Sequence, residues 1–449
     1  MGKLFGTDGI RGQANTYPIT PEVALQIGKA VAKVFGAKGE GNIKAVIGKD
    51  TRLSGYMLET ALTSGMISMG MDVLQTGPVP TPAVAHLTKS MGASCGIMIT
   101  ASHNPAKDNG IKIFGPDGFK LTDTMEDEIE QLIFEATLKS SEVGTTEIGK
   151  AYRIDDAKGR YIEFAKSTVD NMSLRGLKVV LDCANGAAYS LGPAIFEELG
   201  AEVIAVGTSP DGRNINDNCG AMHPENLSQL VIDNKADLGI CFDGDADRVI
   251  CLDAQGKVVN GDRLIGLCAL EYKKLGRLEG NSVVITSMSN LGLHKAMEKA
   301  DIAVEMTGVG DRYVIERMRE KGLKIGGEQS GHIIYLDYAT TGDGIVTALH
   351  ILKVIAETGK TLAELADFME EYPQELIGIN VQNKIPINQL PALEAVIADC
   401  EKDLGEDGRT VVRYSGTENK IRVLVEASTQ QDVDKWITNI SNVIEQELC

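Results

Sequence analysis

Gly96-Ile97-Met98-Ile99-Thr100-Ala101-Ser102-His103-Asn104-Pro105 holds an apolar run that turns polar within a few residues and then meets a proline. The apolar part reads as the end of a buried strand. Pro105 disfavours the helical region for Asn104, so the chain must turn here. A hydroxyl is thereby left at the carboxyl end of a strand, where open α/β sheets bind their ligands. Ser102 is therefore the candidate nucleophile. Ser and Asn are also ordinary turn residues, so the meaning of Ser102 depends on what the rest of the chain brings to it.

Working outward, strand and helix alternate on both sides of this stretch. Thr20 caps a helix that has Pro21 at its first position and Val23, Ile27, Ala30, Val31 and Val34 on one face. Strands at 45–47 and 72–75 and helices at 54–69 and 81–90 lead up to Ser102. The pattern returns with strands at 178–181, 202–206 and 238–242 and helices at 189–199 and 226–234. It returns again with strands at 283–285, 302–305 and 323–325 and helices at 291–299 and 312–320. Such alternation predicts parallel pairing. Helices at 344–357 and 362–369 follow, and then the order changes to strand 375–381, helix 389–404, strands 410–414 and 421–426, and helix 432–447. The predicted fold is α/β: three similar βαβ-type mixed-sheet domains and a smaller α+β C-terminal domain around a central cleft. The expected boundaries are 1–155, 156–257, 258–370 and 371–449.

A net charge of −19, from 44 basic and 63 acidic residues, argues against nucleic-acid or membrane-surface binding. An anionic ligand would need local basic groups to overcome that field. The eight cysteines form no C-x-x-C pair, and Cys183, Cys241, Cys251 and Cys268 sit in apolar runs, which fits a reducing cytoplasm. No signal peptide and no membrane-spanning apolar run are read in the chain.

Each repeat ends in an unusual polar loop. Asp243, Asp245 and Asp247 alternate after an apolar strand, so in an extended stretch their carboxylates share one face. Adjacent carboxylates repel unless a cation sits between them, and oxygen-only ligands suit Mg²⁺, with Ca²⁺ or Mn²⁺ as alternatives. An EF-hand is excluded because its sixth and twelfth positions would be Arg248 and Ala254. Glu328, Ser330 and His332 alternate likewise and suit sugar hydroxyls or an amine. Arg413, Ser415 and Thr417, around Gly416, offer a guanidinium fork, hydroxyls and backbone N–H groups to a phosphate. Ser102 lacks the G-x-S-x-G setting of a hydrolase, and His103 is a poor base because neighbours in an extended chain point opposite ways. Ser102 as a phosphoryl carrier beside the metal uses more of these motifs. A kinase P-loop is absent.

Thr100-Ala-Ser-His-Asn-Pro105, Asp243-Gly-Asp-Ala-Asp-Arg248, Gly327-Glu-Gln-Ser-Gly-His332 and Arg413-Tyr-Ser-Gly-Thr-Glu418, in that order, resemble the α-D-phosphohexomutases. The likeness spans nearly the whole chain. The opening Lys3-Leu-Phe-Gly-Thr-Asp-Gly-Ile-Arg-Gly12, with Gln329, is most similar to the bacterial amino-sugar members. The resemblance implies a phosphoserine at Ser102 and Mg²⁺ held by Ser102, Asp243, Asp245 and Asp247. It implies Arg11 and Arg248 at the catalytic centre and Lys112 assisting proton transfer. Glu328, Ser330 and His332 would contact the sugar, and Arg413, Ser415, Gly416 and Thr417 would hold the phosphate that does not react. Asn419 departs from the proline common in relatives, which bears on loop rigidity. The implied reaction interconverts glucosamine 6-phosphate and glucosamine 1-phosphate through glucosamine 1,6-bisphosphate, feeding amino-sugar nucleotide and cell-wall precursor synthesis. The partner expected is a small-molecule phosphosugar, in the cytoplasm, and a homodimer is left open. The alternatives are a glucose or mannose phosphate mutase and a metal-dependent sugar phosphatase.

Overall fold

The computed structural model describes residues 4–6, 8–36, 43–135, 138, 143–415 and 419–449. The chain forms two compact units, one of residues 1–286 with 305–366 and one of residues 287–304 with 367–449.

In the first unit, the N-terminal part comprises β1 (Ile10–Gln13), α1 (Pro21–Gly36), β2 (Lys44–Lys49), α2 (Ser54–Ile67), β3 (Asp72–Pro78) and α3 (Thr81–Ser90). It continues with β4 (Cys95–Ile99), β5 (Asp108–Phe114), α4 (Asp123–Phe134) and β6 (Ala151–Arg153). The sheet order is β1-β5-β4-β2-β3-β6. β2 runs parallel to β3 and β4, as the alternation predicts, but β5 returns antiparallel to β4 and β1 is antiparallel to β5. Every residue of β4 is buried, which suits a central strand covered on both faces. α1 and α2 cross closely: a Cβ on Gly28 would lie 2.4 Å from the Leu62 carbonyl oxygen, so only glycine permits the approach.

The next part repeats the plan with α5 (Ala157–Ser167), β7 (Lys178–Asp182), α6 (Leu191–Glu198), β8 (Glu202–Val206), α7 (Ser228–Asp233) and β9 (Leu238–Phe242). β10 (Val249–Asp253) and β11 (Val258–Val259) extend it antiparallel, giving the order β11-β10-β9-β7-β8. The next stretch of the chain has α8 (Gly261–Lys274), β12 (Ser282–Thr286), α9 (Leu291–Lys299, in the second unit), β13 (Ala303–Thr307), α10 (Asp311–Lys321), β14 (Ile325–Gly327) and β15 (Ile333–Tyr335). α11 (Gly344–Thr358) and α12 (Leu362–Ala366) complete it. β12 pairs in parallel with β14, which turns back into antiparallel β15. Each sheet thus places a turn at the end of a central strand: after β4, after β9 and after β14.

The second unit carries β16 (Gln374–Asn380), α13 (Pro391–Leu404), β17 (Gly408–Tyr414), β18 (Lys420–Ala427) and α14 (Gln430–Leu448). Its antiparallel sheet has the order β16-β18-β17. Val423, Val425, Leu393, Trp436, Ile440 and Ile444 form its core between sheet and helices. α9 belongs to this unit: Leu291 N–H donates to buried Glu426 and Asn290 donates to the Tyr372 carbonyl.

Candidate active site

β4 ends at Ile99, and at Ser102 the backbone enters the left-handed region with φ of 50°, a conformation uncommon outside glycine. Ser102 is buried, and its N–H donates to Thr100 Oγ1 at 2.8 Å. Its Oγ donates to Asp243 Oδ2 at 2.6 Å. The left-handed turn overturns the expectation that His103 points away: His103 Nδ1 lies 3.4 Å from Ser102 Oγ. Burial, with nearby Arg248 and Arg11, pushes the His103 imidazole down to about 4, so it is neutral at pH 7.

The aspartate loop turns instead of extending. Ala246 has φ of 55°, and its N–H donates to the Asp243 carbonyl at 3.0 Å. The carboxylates therefore converge by folding over, with one oxygen from each of Asp243, Asp245 and Asp247 within 4.8 Å of the others. All three residues are buried, and Asp245 Oδ1 and Asp247 Oδ1 accept no hydrogen bond from the described residues. Burial, then repulsion from Asp247 and Asp245, drives the Asp243 carboxyl well above its ordinary range. Burial acts the same way on Asp247, but Lys112, His332 and Arg248 outweigh it and hold that carboxyl well below. Orphaned buried oxygens in an all-carboxylate set fit a hard divalent cation. The triad is suited to binding a metal.

β5 delivers Lys112 to this cluster. Ile111 and Ile113 face the core, and the alternation of the strand turns Lys112 to the other side. Lys112 Nζ lies 3.1 Å from Asp245 Oδ2, 3.0 Å from Asp247 Oδ2 and 3.3 Å from Asp8 Oδ2. Burial opposes its charge, but these carboxylates raise its pKa well above the ordinary lysine value. Arg11 pairs with Asp8, and Arg248 Nε is 3.8 Å from Asp247 Oδ1. The Nε atoms of Arg11 and Arg248 are both buried without a hydrogen-bond partner among the described residues.

The third loop is a tight turn between β14 and β15. Glu328 and His332 are buried while Ser330 is exposed, so the three do not share one face. Glu328 Oε1 accepts from Gly310 N–H at 3.0 Å. Gly342 N–H lies 3.0 Å from His332 Nε2, and His332 Nδ1 lies 3.6 Å from Asp247 Oδ1. His332 thus sits with the aspartate loop. Sequence reasoning missed Thr81, whose hydroxyl donates to Asp245 Oδ2 at 2.5 Å, because Thr81 read only as a helix start. It also missed Asp8, Lys120 and Asp311, where Lys120 bridges the two acids. Asp8 was visible only as the polar neighbour of Arg11 in a glycine-punctuated stretch.

In the second unit, Arg413 on β17 stands directly opposite Arg422 on β18. Burial and Arg422 lower the Arg413 pKa. Ser415 is buried, and its carbonyl accepts from Lys384 Nζ at 2.6 Å. Three cationic side chains, Arg413, Arg422 and Lys384, thus surround the root of this loop. Gly416 and Thr417 lie outside the described residues.

Models of the phosphoglucomutase/phosphomannomutase family match in succession: alpha/beta/alpha domain I over residues 2–140, domain II over 159–256, domain III over 260–372 and the C-terminal domain over 376–443. A phosphoglucosamine mutase of Geobacter sp. (strain M21) is 53% identical over 449 residues, covering 100% of this chain and 99% of the relative. One of Syntrophus aciditrophicus (strain SB) is also 53% identical and covers 100% of both chains. Among solved structures, a phosphoglucomutase/phosphomannomutase family protein from Burkholderia thailandensis superposes with a TM-score of 0.83 at 25% identity, covering 99% of this chain and 97% of that one. An Aspergillus fumigatus N-acetylphosphoglucosamine mutase, solved with GlcNAc-6P and magnesium, shares the fold at a TM-score of 0.68 and 18% identity, covering 99% and 95%. With every domain matched in order and relatives half identical from end to end, the chain belongs to the phosphoglucomutase/phosphomannomutase family.

Proposed function

We propose that this protein is a phosphohexosamine mutase that interconverts glucosamine 6-phosphate and glucosamine 1-phosphate through a phosphoserine at Ser102 and a 1,6-bisphosphate intermediate. The observation that carries the reading is the Ser102 hydroxyl 2.6 Å from Asp243, at the edge of a buried carboxylate triad backed by Lys112. The choice of an amino sugar rests on the full-length relatives. Mg²⁺, held by Asp243, Asp245, Asp247 and the phosphorylated Ser102, would offset the charge of the phosphoryl group in transfer.

The remaining work falls to side chains of this chain. The Nε donors of Arg11 and Arg248, without a partner among the described residues, are available to phosphoryl oxygens. Lys112, held protonated by three acids, suits charge neutralisation and return of a proton to a departing oxygen. Glu328, Ser330 and His332 are assigned to the sugar. Arg413, Ser415, Gly416 and Thr417 are assigned to the phosphate that stays in place, so that one anchor serves both orientations of the bisphosphate. The domains divide at 1–155, 156–257, 258–370 and 371–449. Eight free thiols support a cytoplasmic setting.

A coupled assay over glucosamine, glucose and mannose phosphates tests the reading. The expected result is isomer without free phosphate, with glucosamine phosphate preferred. Stoichiometric release of phosphate would make the protein a phosphatase, and preference for glucose or mannose would move it within the family.

A further inference from the structure

We propose that Arg52, assisted by Asn216, is a positioning residue that fixes the left-handed backbone at Ser102 and thereby aims the Ser102 hydroxyl at the carboxylate centre. Arg52 follows β2 and is fully buried. Its two terminal nitrogens are spent on one segment. Nη2 donates to the carbonyls of Ser102 at 2.9 Å and Asn104 at 2.7 Å. Nη1 donates to the carbonyls of Pro105 at 2.5 Å and Asp108 at 3.0 Å. Nε donates to Asp50 Oδ2 at 2.9 Å. All five N–H groups of the guanidinium are therefore engaged, so Arg52 has no donor left for a ligand and acts through the loop.

The Ser102 peptide is held from its other end by the same pair. Asp50 Oδ2 also accepts from Thr100 Oγ1 at 2.6 Å, and Thr100 Oγ1 accepts from Ser102 N–H at 2.8 Å. Arg52 thus grips the carbonyl of Ser102 directly and its N–H through Asp50 and Thr100. Asn216, from the loop after β8, adds a second hold on the same acceptors. Its Nδ2 donates to Ser102 O at 2.8 Å and to Asn104 O at 3.0 Å. A Cβ on Gly244 would meet Ser102 O at 2.6 Å and Asn216 Nδ2 at 2.8 Å, so the aspartate loop is pressed against this clamp.

Here four carbonyls within residues 102–108 converge on one group, around a residue in a sparsely populated conformation. Such conformations persist only when their surroundings over-determine them. Lysine would keep the charge beside Asp50, but a single ammonium cannot span four carbonyls in the planar fork geometry.

The inference rests on the phosphoryl-transfer reading of Ser102, and one arm of its test is independent of that reading. Arg52→Lys, Asn216→Ala and the double variant are made in the full chain. Amide hydrogen exchange is followed across residues 98–110, and single-turnover phosphorylation of Ser102 by glucose 1,6-bisphosphate is timed with Mg²⁺ present. Exchange should accelerate in the segment after Ser102 and stay unchanged elsewhere. The phosphorylation rate should fall about ten- to a hundredfold, as expected for a reacting atom displaced by about 1 Å, with substrate KM little changed. Asn216→Ala should move both readouts less, and the double variant should fall short of the product of the two, since both hold the same carbonyls. A folded Arg52→Lys protein with native exchange in this segment would overturn the proposal, as would native phosphorylation kinetics. Loosening spread across the whole unit would also overturn it, since that marks a general structural role. If Arg52→Lys does not fold, Asn216→Ala decides by the same criteria. A wild-type protein that takes no phosphoryl group would refute the mutase reading, while the exchange arm would still decide whether the clamp sets the backbone.

Discussion

Ser102 donates its hydroxyl to a carboxylate that burial and its neighbours push toward the protonated state. Ser102→Ala removes the hydroxyl that faces Asp243, so it should abolish turnover and leave no phosphopeptide by mass spectrometry. Undiminished turnover would remove Ser102 from the mechanism. Asp245→Asn should weaken Mg²⁺ binding by at least about ten- to a hundredfold, since losing a charged ligand should cost no less than losing an outer-shell partner. Titration calorimetry with Mg²⁺ checks it, and native affinity would show that Asp245 serves Lys112 and Thr81 only. Ser102 and the aspartates were legible because each sits where an apolar run breaks into polar residues. The near approach of His103 to Ser102 was not legible, because a left-handed φ at a serine leaves no mark in composition. The partners Asp8, Lys120 and Asp311 come from distant segments, and only tertiary packing brings them together.

At the scale of elements, helices with strong apolar faces were readable to within a residue or two, as α3, α9 and α11 demonstrate. β5 and β10 were not, although both build the site. Each returns antiparallel to the strand before it, so the alternation that predicts parallel pairing carries no sign of them. Lys112 was accordingly placed by resemblance and not by its strand. α11 also carries a testable charge. His350 is buried, stacks on Tyr335 of β15 with ring centroids 4.6 Å apart, and has no hydrogen-bond partner at Nε2 among the described residues. Burial, with Lys353 and Arg277 nearby, pushes its imidazole down to about 3. The unfolded chain, with a histidine near pKa ~6.5, binds the extra proton first as pH falls. Stability from this group is therefore fully present above the unfolded value and is lost below it, at about 1.4 kcal/mol per pH unit. His350→Phe keeps the ring and removes the titration. Melting temperatures at pH 7 and pH 5 should drop less in His350→Phe than in the native chain, and an equal drop would show that His350 is not the group responsible.

At the scale of the whole molecule, each unit carries its own charged cluster. The first holds the acidic triad and Ser102 with Lys112, Arg11 and Arg248 beside them, and the second holds Arg413, Arg422 and Lys384 around the root of its loop. In a chain of net charge −19, such a local concentration of cations is the setting a phosphate requires. Arg413 should accordingly act on a phosphate that is not being transferred. Arg413→Ala removes a fork of donors from an anion and leaves every residue of the Ser102 centre in place. A charge-assisted contact of this kind is worth roughly 1.5–3 kcal/mol, or about ten- to a hundredfold in binding. Substrate should bind more weakly by that factor. The bisphosphate should also escape more often before it reorients, so turnover should depend more on added bisphosphate. Phosphorylation of Ser102 at saturating bisphosphate should survive, because that step needs only the first unit's chemistry. Steady-state kinetics and phosphorylation stoichiometry on one preparation measure both halves. Native substrate binding together with loss of Ser102 phosphorylation would place Arg413 at the reaction centre and leave the phosphate anchor to other residues.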